Sequence, residues 1–446
     1  AILRKHYKWV TLIICCLVYS VAYLCRRNYT GVASYLMTDW NIGKGEIGLI
    51  GSAFYFAYAL SQSPWAVLTD KYGARRMIPV SVGLTGISLG LFAVATDYTQ
   101  GLIFRIIMGL ASGATYAPCA GLIAKWFKKK ERGLAMLLFT GPGGGLGEAI
   151  AFLLVPVLAL FLSEGVTIAG YGTWRAATLI MAVLTIAIAF LALIVVRNDP
   201  TALGLESVSE VEDKQVVGDL SYKEAIIGAL RDPGYWAANL AWIGFIVSLR
   251  TVPGWLPIYA AAYYAQNLGY GKAEAVVAGG VIGTIYVIGR LIGNPLLGKL
   301  SDFLMTRFTI PRLMVVAVIH TITFIGLVIM TMPIPSVVIL SVLAFIFGFS
   351  TNSYALVGTA TAEIWSLKAS NFTMAFQNTL GQLVGATVLS MSGFMAIKFA
   401  VKGAGVHSEY QGIWYLGMIF MVIAIFASLY GAKREKKVLQ QKNSAQ

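Results

Sequence analysis

Charge is scarce in this chain of 446 residues. Only 12% of the residues are Asp, Glu, Lys or Arg, whereas soluble globular proteins carry roughly 25%. Hydrophobic residues make up 58% of the chain, and the mean hydropathy is +0.74. Apolar runs of about 20 residues, the length of a helix that crosses a bilayer, recur along the whole sequence. These features exclude a soluble globular protein and predict an all-α polytopic membrane protein.

Cysteine and histidine are also scarce. The four cysteines all fall within predicted spans: Cys15, Cys16, Cys25 and Cys119. We interpret them as small buried apolar residues, so neither a disulfide framework nor a metal site is expected. The three histidines are widely separated: His6, His320 and His407. They form no cluster and no nucleophile–base pair is evident, so we predict a protein that is not an enzyme and needs no cofactor.

Lysine and arginine outnumber aspartate and glutamate by 34 to 20, which gives a net charge of +14. The basic residues collect in short segments at alternate helix ends, for example 125–132 and 433–437. This distribution follows the positive-inside rule and predicts that both termini are cytoplasmic. We therefore expect a lipid bilayer, and not nucleic acid, as the partner of these charges. The prediction is a monomeric multi-pass protein of a plasma membrane, with a bacterial inner membrane favoured.

Twelve spans are predicted from the hydropathy pattern. They lie near residues 9–37, 45–68, 77–96, 99–122, 133–162, 174–196, 235–265, 274–298, 312–332, 335–358, 369–398 and 411–431. The first apolar run is too long for a cleavable signal peptide. The only long polar segment, 197–232, is predicted to be a cytoplasmic linker between two six-helix halves, 1–196 and 233–446, of which the second ends in a basic cytoplasmic tail.

The two predicted halves repeat each other. The stretch VLTDKYGARR after the second span places Asp70 where GKLSDFLMTR after the eighth span places Asp302. Likewise, Arg26 follows Lys8 by 18 residues, and Arg250 follows Arg231 by 19 residues. Two six-helix repeats joined by a linker are the layout of the major facilitator fold, in which the substrate site lies near the membrane midplane.

Arg26 and Arg250 are the main candidates for substrate binding. Each lies about 27 Å along its helix from the cytoplasmic side, so both fall near mid-membrane. A guanidinium stays charged and offers paired donors that match phosphate or carboxylate, so two of them can clamp an anion. The alternative to substrate binding is a structural ion pair with a buried acid. Neither span has an acid three or four residues from its arginine. Arg27 points about 100° away from Arg26, and we interpret it as structural, or as lining the edge of the cavity.

Aromatic and amide residues accompany the two arginines. The further candidates for substrate binding are Tyr23, Asn28, Tyr29, Gln62, Tyr259, Asn378 and Gln382, with Trp255 as a weaker one. Asn378 and Gln382 are four residues apart and should share one helix face. Pro253 and Pro257 are predicted to break the seventh span, which is tolerated at membrane depth where a helix lines a cavity.

Further charges suggest coupling and gating. Glu148 is the one acid deep in a span, and it is predicted either to pair with Arg290 or to load and unload a proton. Arg105, near the outer end of the fourth span, is expected to be an entrance charge or a gate residue. The residues predicted to latch the cytoplasmic gate are Asp70, Arg75, Arg76, Asp302 and Arg307.

The sequence resembles the major facilitator superfamily over its whole length, and within it the organophosphate:phosphate antiporter family. The matching stretches are YLCRRNY (23–29), LRTVPGWLPIY (249–259), PC (118–119), KWF (125–127) and ERG (131–133). The resemblance implies that Arg26 and Arg250 hold an anionic group of the substrate during a rocking alternating-access cycle. Inorganic phosphate would then be the coupling ion.

The chain departs from this family at two positions. A binding histidine of the fifth helix is replaced by Gly143 or a neighbour, and a lysine of the second helix by Gln62. The sequence is also similar to the anion:cation symporters, which carry sugar acids with protons or sodium. Their coupling glutamate would fall at Ser112, which cannot titrate, so Glu148 would have to replace it.

Three functions follow from these observations. The leading one is secondary transport of a small organic anion, an organophosphate or a carboxylate. The alternative is a proton-coupled symporter of sugar acids or other carboxylates that uses Glu148. The third is a membrane sensor with a transporter fold.

Overall fold

The computed structural model describes residues 6–162, 167–168, 170–205, 222–364 and 370–444. Within these residues every regular element is helical, apart from one isolated bridge between Ile168 and Tyr171. The predicted all-α class is confirmed.

Ten helices precede the central polar segment. They are α1 (Tyr7–Gly31), α2 (Ala33–Asp39), α3 (Lys44–Tyr72), α4 (Ala74–Val94), α5 (Tyr98–Ala111), α6 (Ala117–Trp126), α7 (Lys129–Leu138), α8 (Gly144–Ala149), α9 (Val155–Phe161) and α10 (Thr173–Val195). A 3-10 turn (Ser112–Ala114) joins α5 to α6, and two π-helical segments (Phe139–Gly143 and Ile150–Leu154) join α7, α8 and α9. The fourth and fifth predicted spans are therefore each built from consecutive helical pieces.

Eight more helices follow. They are α11 (Tyr222–Arg231), α12 (Pro233–Leu268), α13 (Lys272–Phe308), α14 (Arg312–Met330), α15 (Val337–Ser350), α16 (Tyr354–Ile364), α17 (Ser370–Phe399) and α18 (Val406–Ser444). Helix α11 and a 3-10 turn (Pro200–Leu203) fall within the segment predicted to be a linker.

Ten helical stretches of the described residues are long and apolar enough to cross a membrane, and α15 is a shorter apolar helix. The twelve predicted spans correspond to these ten stretches, to α3 and to the pair α15 and α16. Helix α3 has the necessary length of 29 residues, but polar residues such as Ser61 and Gln62 lower its mean hydropathy.

The seventh predicted span is continuous. Pro253 and Pro257 both lie inside α12, which runs without interruption from Pro233 to Leu268. The predicted break is therefore wrong. Each proline removes a single backbone donor, and 94% of the most apolar stretch of α12 is buried, so packing supports the helix where those two bonds are missing.

The described chain forms two compact units. The first contains residues 1–212 and 254–287, and the second contains residues 213–253 and 288–446. Helices α12 and α13 contribute to both units. The half boundaries predicted from the sequence, 1–196, 197–232 and 233–446, stay a prediction.

In the first unit a stripe of small residues brings α8 against α1. A Cβ atom added at Gly147 would lie 1.7 Å from the carbonyl oxygen of Ser20, and one added at Gly143 would lie 3.3 Å from the Cα of Cys16. Small residues let membrane helices approach this closely. The GPGGGLG stretch therefore sets the position of α1, which carries Arg26.

In the second unit a buried carboxylate caps α14. The Oε1 and Oε2 atoms of Glu435 accept hydrogen bonds from the backbone N–H groups of Arg312 (2.9 Å) and Leu313 (3.0 Å). The first N–H groups of a helix lack partners within the helix, so Glu435 ties the C-terminal part of α18 to the start of α14.

Candidate functional site

Arg26 lies in a cage of aromatic rings. Its side chain is 3% exposed, and its Cζ atom lies near four ring centroids: Tyr23 at 4.6 Å, Tyr58 at 4.8 Å, Phe54 at 5.7 Å and Tyr55 at 5.8 Å. Tyr23 is one helical turn before Arg26 on α1, and the other three belong to α3. Aromatic faces attract a cation, but they do not neutralise it.

Two guanidinium nitrogens of Arg26 are unpaired within the described part of the chain. Its Nε and Nη2 atoms are buried and have no hydrogen-bond partner there, and none of the described ion pairs includes it. Leaving a buried polar donor unsatisfied costs about 1–3 kcal/mol, and more for a charged group. Such a cost is explained if the donors serve a ligand.

The neighbouring Arg27 has a different environment. Its Nε atom lies 2.9 Å from Oε1 of Glu148, and both side chains are fully buried. This ion pair joins α1 to α8 and agrees with the structural interpretation of Arg27. The structure identifies Arg27 as a partner of Glu148. The predicted pairing of Glu148 with Arg290 stays a prediction.

Arg105 ties three backbone segments together. Its Nη1 donates to the carbonyl of Cys25 (2.9 Å), its Nη2 to the carbonyl of Arg26 (3.0 Å) and its Nε to the carbonyl of Ile50 (3.2 Å). The side chain is completely buried. Arg105 is therefore placed to hold α1 against α3 next to Arg26. Its predicted role as an entrance charge or gate residue stays a prediction.

Asn28 and Tyr29 face neighbours other than Arg26. The amide of Asn28 lies 3.4 Å from the hydroxyl of Thr178 on α10, and the ring of Tyr29 lies 4.9 Å from the Cζ of Arg105. Their predicted roles in substrate binding stay predictions.

Arg250 lies in the second unit and is held by an amide. The side chain is 1% exposed, and its Nη2 donates a hydrogen bond to Oε1 of Gln382. The Nε2 of Gln382 in turn donates to Oδ1 of Asn378 at 3.3 Å. The expectation that Asn378 and Gln382 share one face of the eleventh span is confirmed by this contact.

The remaining substrate candidates lie in the first unit. Tyr259 and Trp255 are fully buried on α12. Gln62 is half-buried on α3, one turn after Tyr58. The predicted roles of these three residues in substrate binding stay predictions.

The predicted gate charges lie at the ends of helices. Asp302 forms an ion pair with Arg312 at 2.5 Å, and the gating roles predicted for Asp302 and Arg307 stay predictions. Asp302 lies on the last turns of α13, and the break after Phe308 turns Arg312 back towards it. Arg307 remains exposed.

Asp70 lines a cleft of about 560 Å³ in the first unit, together with Lys71, Lys125 and Asp199. The Thr201 hydroxyl and the backbone N–H groups of the following turn donate to Asp199, and these bonds lower the pKa of its carboxyl. Arg75 and Arg76 are exposed at the start of α4. Their predicted gating role stays a prediction.

Sequence patterns alone do not identify the aromatic residues of α3 as neighbours of Arg26. The only signal is the spacing of Phe54, Tyr55 and Tyr58, which puts three rings on adjacent positions of one helix. Among the described residues no group of three or more His, Cys, Asp or Glu side chains could hold a metal ion.

The model of the Major Facilitator Superfamily matches residues 15–388. The chain belongs to this superfamily. Among solved structures, this superfamily member is similar to a bacterial homolog of the human lysosomal transporter Spinster, with a TM-score of 0.76 and 18% identity over 98% of each chain. This likeness shows the shared fold.

Two curated relatives are members of the organophosphate:phosphate antiporter family, so the resemblance to that family is confirmed. A probable hexose phosphate transport protein of Chlamydia trachomatis is 26% identical over 68% of this chain and 66% of the relative. The chain thus spans just under two thirds of that relative's length. The membrane sensor protein UhpC of Salmonella typhimurium is 24% identical over 96% of this chain and 89% of the relative. The predicted location, a multi-pass protein of the inner membrane, agrees with these relatives and with the apolar helices.

Proposed function

We propose that this protein is a secondary transporter of a small organophosphate, which it exchanges for inorganic phosphate by alternating access. Arg26 and Arg250 supply the guanidinium groups that bind the anion. The observation that carries the proposal is the buried guanidinium of Arg26, whose Nε and Nη2 have no hydrogen-bond partner among the described residues. The name of the chlamydial relative, a probable hexose phosphate transport protein, supports a phosphate ester as the substrate class.

The balance of buried charge in the first unit supports an anionic substrate. The buried charged side chains described there are Arg26, Arg27, Arg105 and Glu148, an excess of two positive charges. Charge inside a membrane is costly and marks ion or substrate pathways. A phosphate group carries roughly −1.5 to −2 near pH 7, so one bound phosphate ester would offset that excess.

The alternative function is a proton-coupled symporter of sugar acids, with Glu148 as the group that titrates. The contact between Glu148 and Arg27 favours a structural role for this carboxylate, because the buried pair joins α1 to α8. Ser112 uses its hydroxyl in a bond to the carbonyl of Met108 (2.7 Å) and cannot replace the carboxylate. The exchange mechanism is therefore the better supported of the two.

A membrane sensor is the third candidate function. It is favoured by the extent of the match to the Salmonella sensor protein, which covers 96% of this chain. A sensor would bind the same class of anion and would use Arg26 in the same way, but it would not move the anion across the membrane.

Transport by the purified wild-type protein in liposomes separates these functions. We expect uptake of glycerol 3-phosphate or a hexose phosphate only into liposomes that contain inorganic phosphate, with no response to an imposed pH gradient. Uptake of gluconate driven by a pH gradient, without internal phosphate, would contradict exchange and support the symporter. Binding of the phosphate ester without any flux would support the sensor.

A further inference from the structure

The two candidate arginines are held in different ways. Arg26 contacts aromatic faces, whereas Arg250 donates to Gln382, which donates to Asn378. We refer to the chain Arg250–Gln382–Asn378 as the amide relay. All three members belong to the second unit.

The direction of the amide relay is fixed by chemistry. Arginine has only donors, so the atom of Gln382 that meets Arg250 must be the carbonyl oxygen. The NH₂ group of Gln382 must then point the other way, towards Oδ1 of Asn378. The orientation of both amides, which is ambiguous from shape alone, therefore follows from the position of Arg250.

Two glycines bring the helices of the relay into contact. A Cβ atom at Gly385 would lie 2.6 Å from Cγ2 of Ile246 and 3.2 Å from Cγ of Arg250. A Cβ atom at Gly381 would lie 2.7 Å from the ring of Trp242. Small residues at these positions allow α12 and α17 to pack closely. The methylene groups of Arg250 therefore pack against Gly385 on the same helix whose Gln382 binds the guanidinium.

We propose that Gln382, supported by Asn378, is the positioning residue that sets the orientation of Arg250 and thereby the affinity of the anion site. The inference rests on the proposed function and deepens it. A guanidinium binds an oxyanion well only when its donors point along the acceptor directions. The amide fixes the plane of the group before the anion arrives, so less rotational freedom is lost on binding. Gln382 itself acts through Arg250.

The test compares anion binding by Gln382→Met, Gln382→Glu and the wild type. Methionine has a similar length without the amide, so we expect the Kd to rise roughly tenfold, as for the loss of a hydrogen bond to a charged group. Glutamate pairs with Arg250 and competes with the anion, so the loss should be larger still. The matched control is Thr387→Val, an exposed position on the same helix, and we expect wild-type affinity.

A double-mutant cycle separates positioning from general packing. If Gln382 acts through Arg250, then Arg250→Lys/Gln382→Met binds no more weakly than Arg250→Lys alone. Multiplicative losses in the double variant would overturn the inference, as would wild-type affinity in both Gln382→Met and Gln382→Glu. Asn378→Leu, at a half-buried position, provides a second variant if Gln382→Met does not fold. We expect a loss in the same direction from it, of roughly two- to threefold, and wild-type affinity would count against the relay.

The probes are inorganic phosphate, glycerol 3-phosphate and gluconate, each measured by calorimetry or by thermal stabilisation of the purified protein. If the wild type binds gluconate but neither phosphate compound, the proposed substrate class is wrong, and the relay is judged with gluconate. If the wild type binds none of the three, both the proposed function and the relay are contradicted.

Discussion

Three arginines that are close in space in the first unit have three different environments. Arg26 has unpaired donors among aromatic rings, Arg27 is neutralised by Glu148, and Arg105 is used up by three backbone carbonyls. A buried arginine is therefore not by itself a binding residue. What distinguishes Arg26 is that the described chain leaves part of its hydrogen-bonding capacity unused.

Arg105→Lys tests whether this buried arginine positions Arg26. A single ammonium cannot reach the carbonyls of Cys25, Arg26 and Ile50 with the planar fork that a guanidinium provides. We expect a lower melting temperature and an anion Kd raised roughly tenfold, measured on the purified protein. Wild-type affinity in a variant with a lowered melting temperature would show that Arg105 stabilises the fold without positioning the site.

At this scale the sequence predicts some properties and misses others. The repeat predicts that Arg26 and Arg250 lie at matching depth, because the spacing from the predicted cytoplasmic end is a local property of each helix. The carboxylate that pairs with Arg27 and the backbone carbonyls that bind Arg105 lie 55 to 121 residues away along the chain, so no spacing rule identifies them. The sequence therefore nominates candidate residues, and their individual roles depend on tertiary contacts.

Among the elements, the contact between α1 and α8 determines where the candidate site lies. Gly147 allows the backbones to approach, and the pair Arg27–Glu148 crosses the same contact. A buried ion pair does not have to stabilise a protein, because desolvation offsets the attraction. Removing only one partner is costly, however, since it leaves the other charge buried and unpaired.

Stability measurements on Arg27 and Glu148 therefore distinguish a structural pair from a coupling site. Glu148→Gln and Arg27→Met should each lower the stability by about 3–5 kcal/mol, whereas Arg27→Met combined with Glu148→Met should recover much of that loss. Thermal unfolding in detergent checks this. Single variants as stable as the wild type, with pH-gradient-driven uptake abolished in Glu148→Gln, would instead favour proton coupling.

The elements also show why the break predicted for α12 is wrong. Proline in the sequence predicts a lost backbone bond, but whether the helix bends there depends on the surroundings. The ion-pair partner of Asp302 is likewise a tertiary contact, because Arg312 lies beyond the end of α13.

For the whole molecule, composition and periodicity are sufficient to predict the fold. The apolar stretches predicted from the sequence agree with the described helices and with the superfamily match over residues 15–388. In a bilayer only helices and closed barrels satisfy all backbone groups, so few architectures fit such a sequence. The identity of the anion depends on a few side chains, which is why the substrate class is proposed from the site and not from the fold.

The most direct test of the central claim is phosphate exchange by Arg26→Lys in liposomes, with Arg231→Lys as a matched control at an exposed arginine. Lysine keeps the charge of Arg26 but loses the fork that binds an oxyanion. We expect the variant to lose most of its exchange, at least about tenfold, while it reaches the membrane in wild-type amounts and the control exchanges normally. Exchange at the wild-type rate by Arg26→Lys would contradict the account.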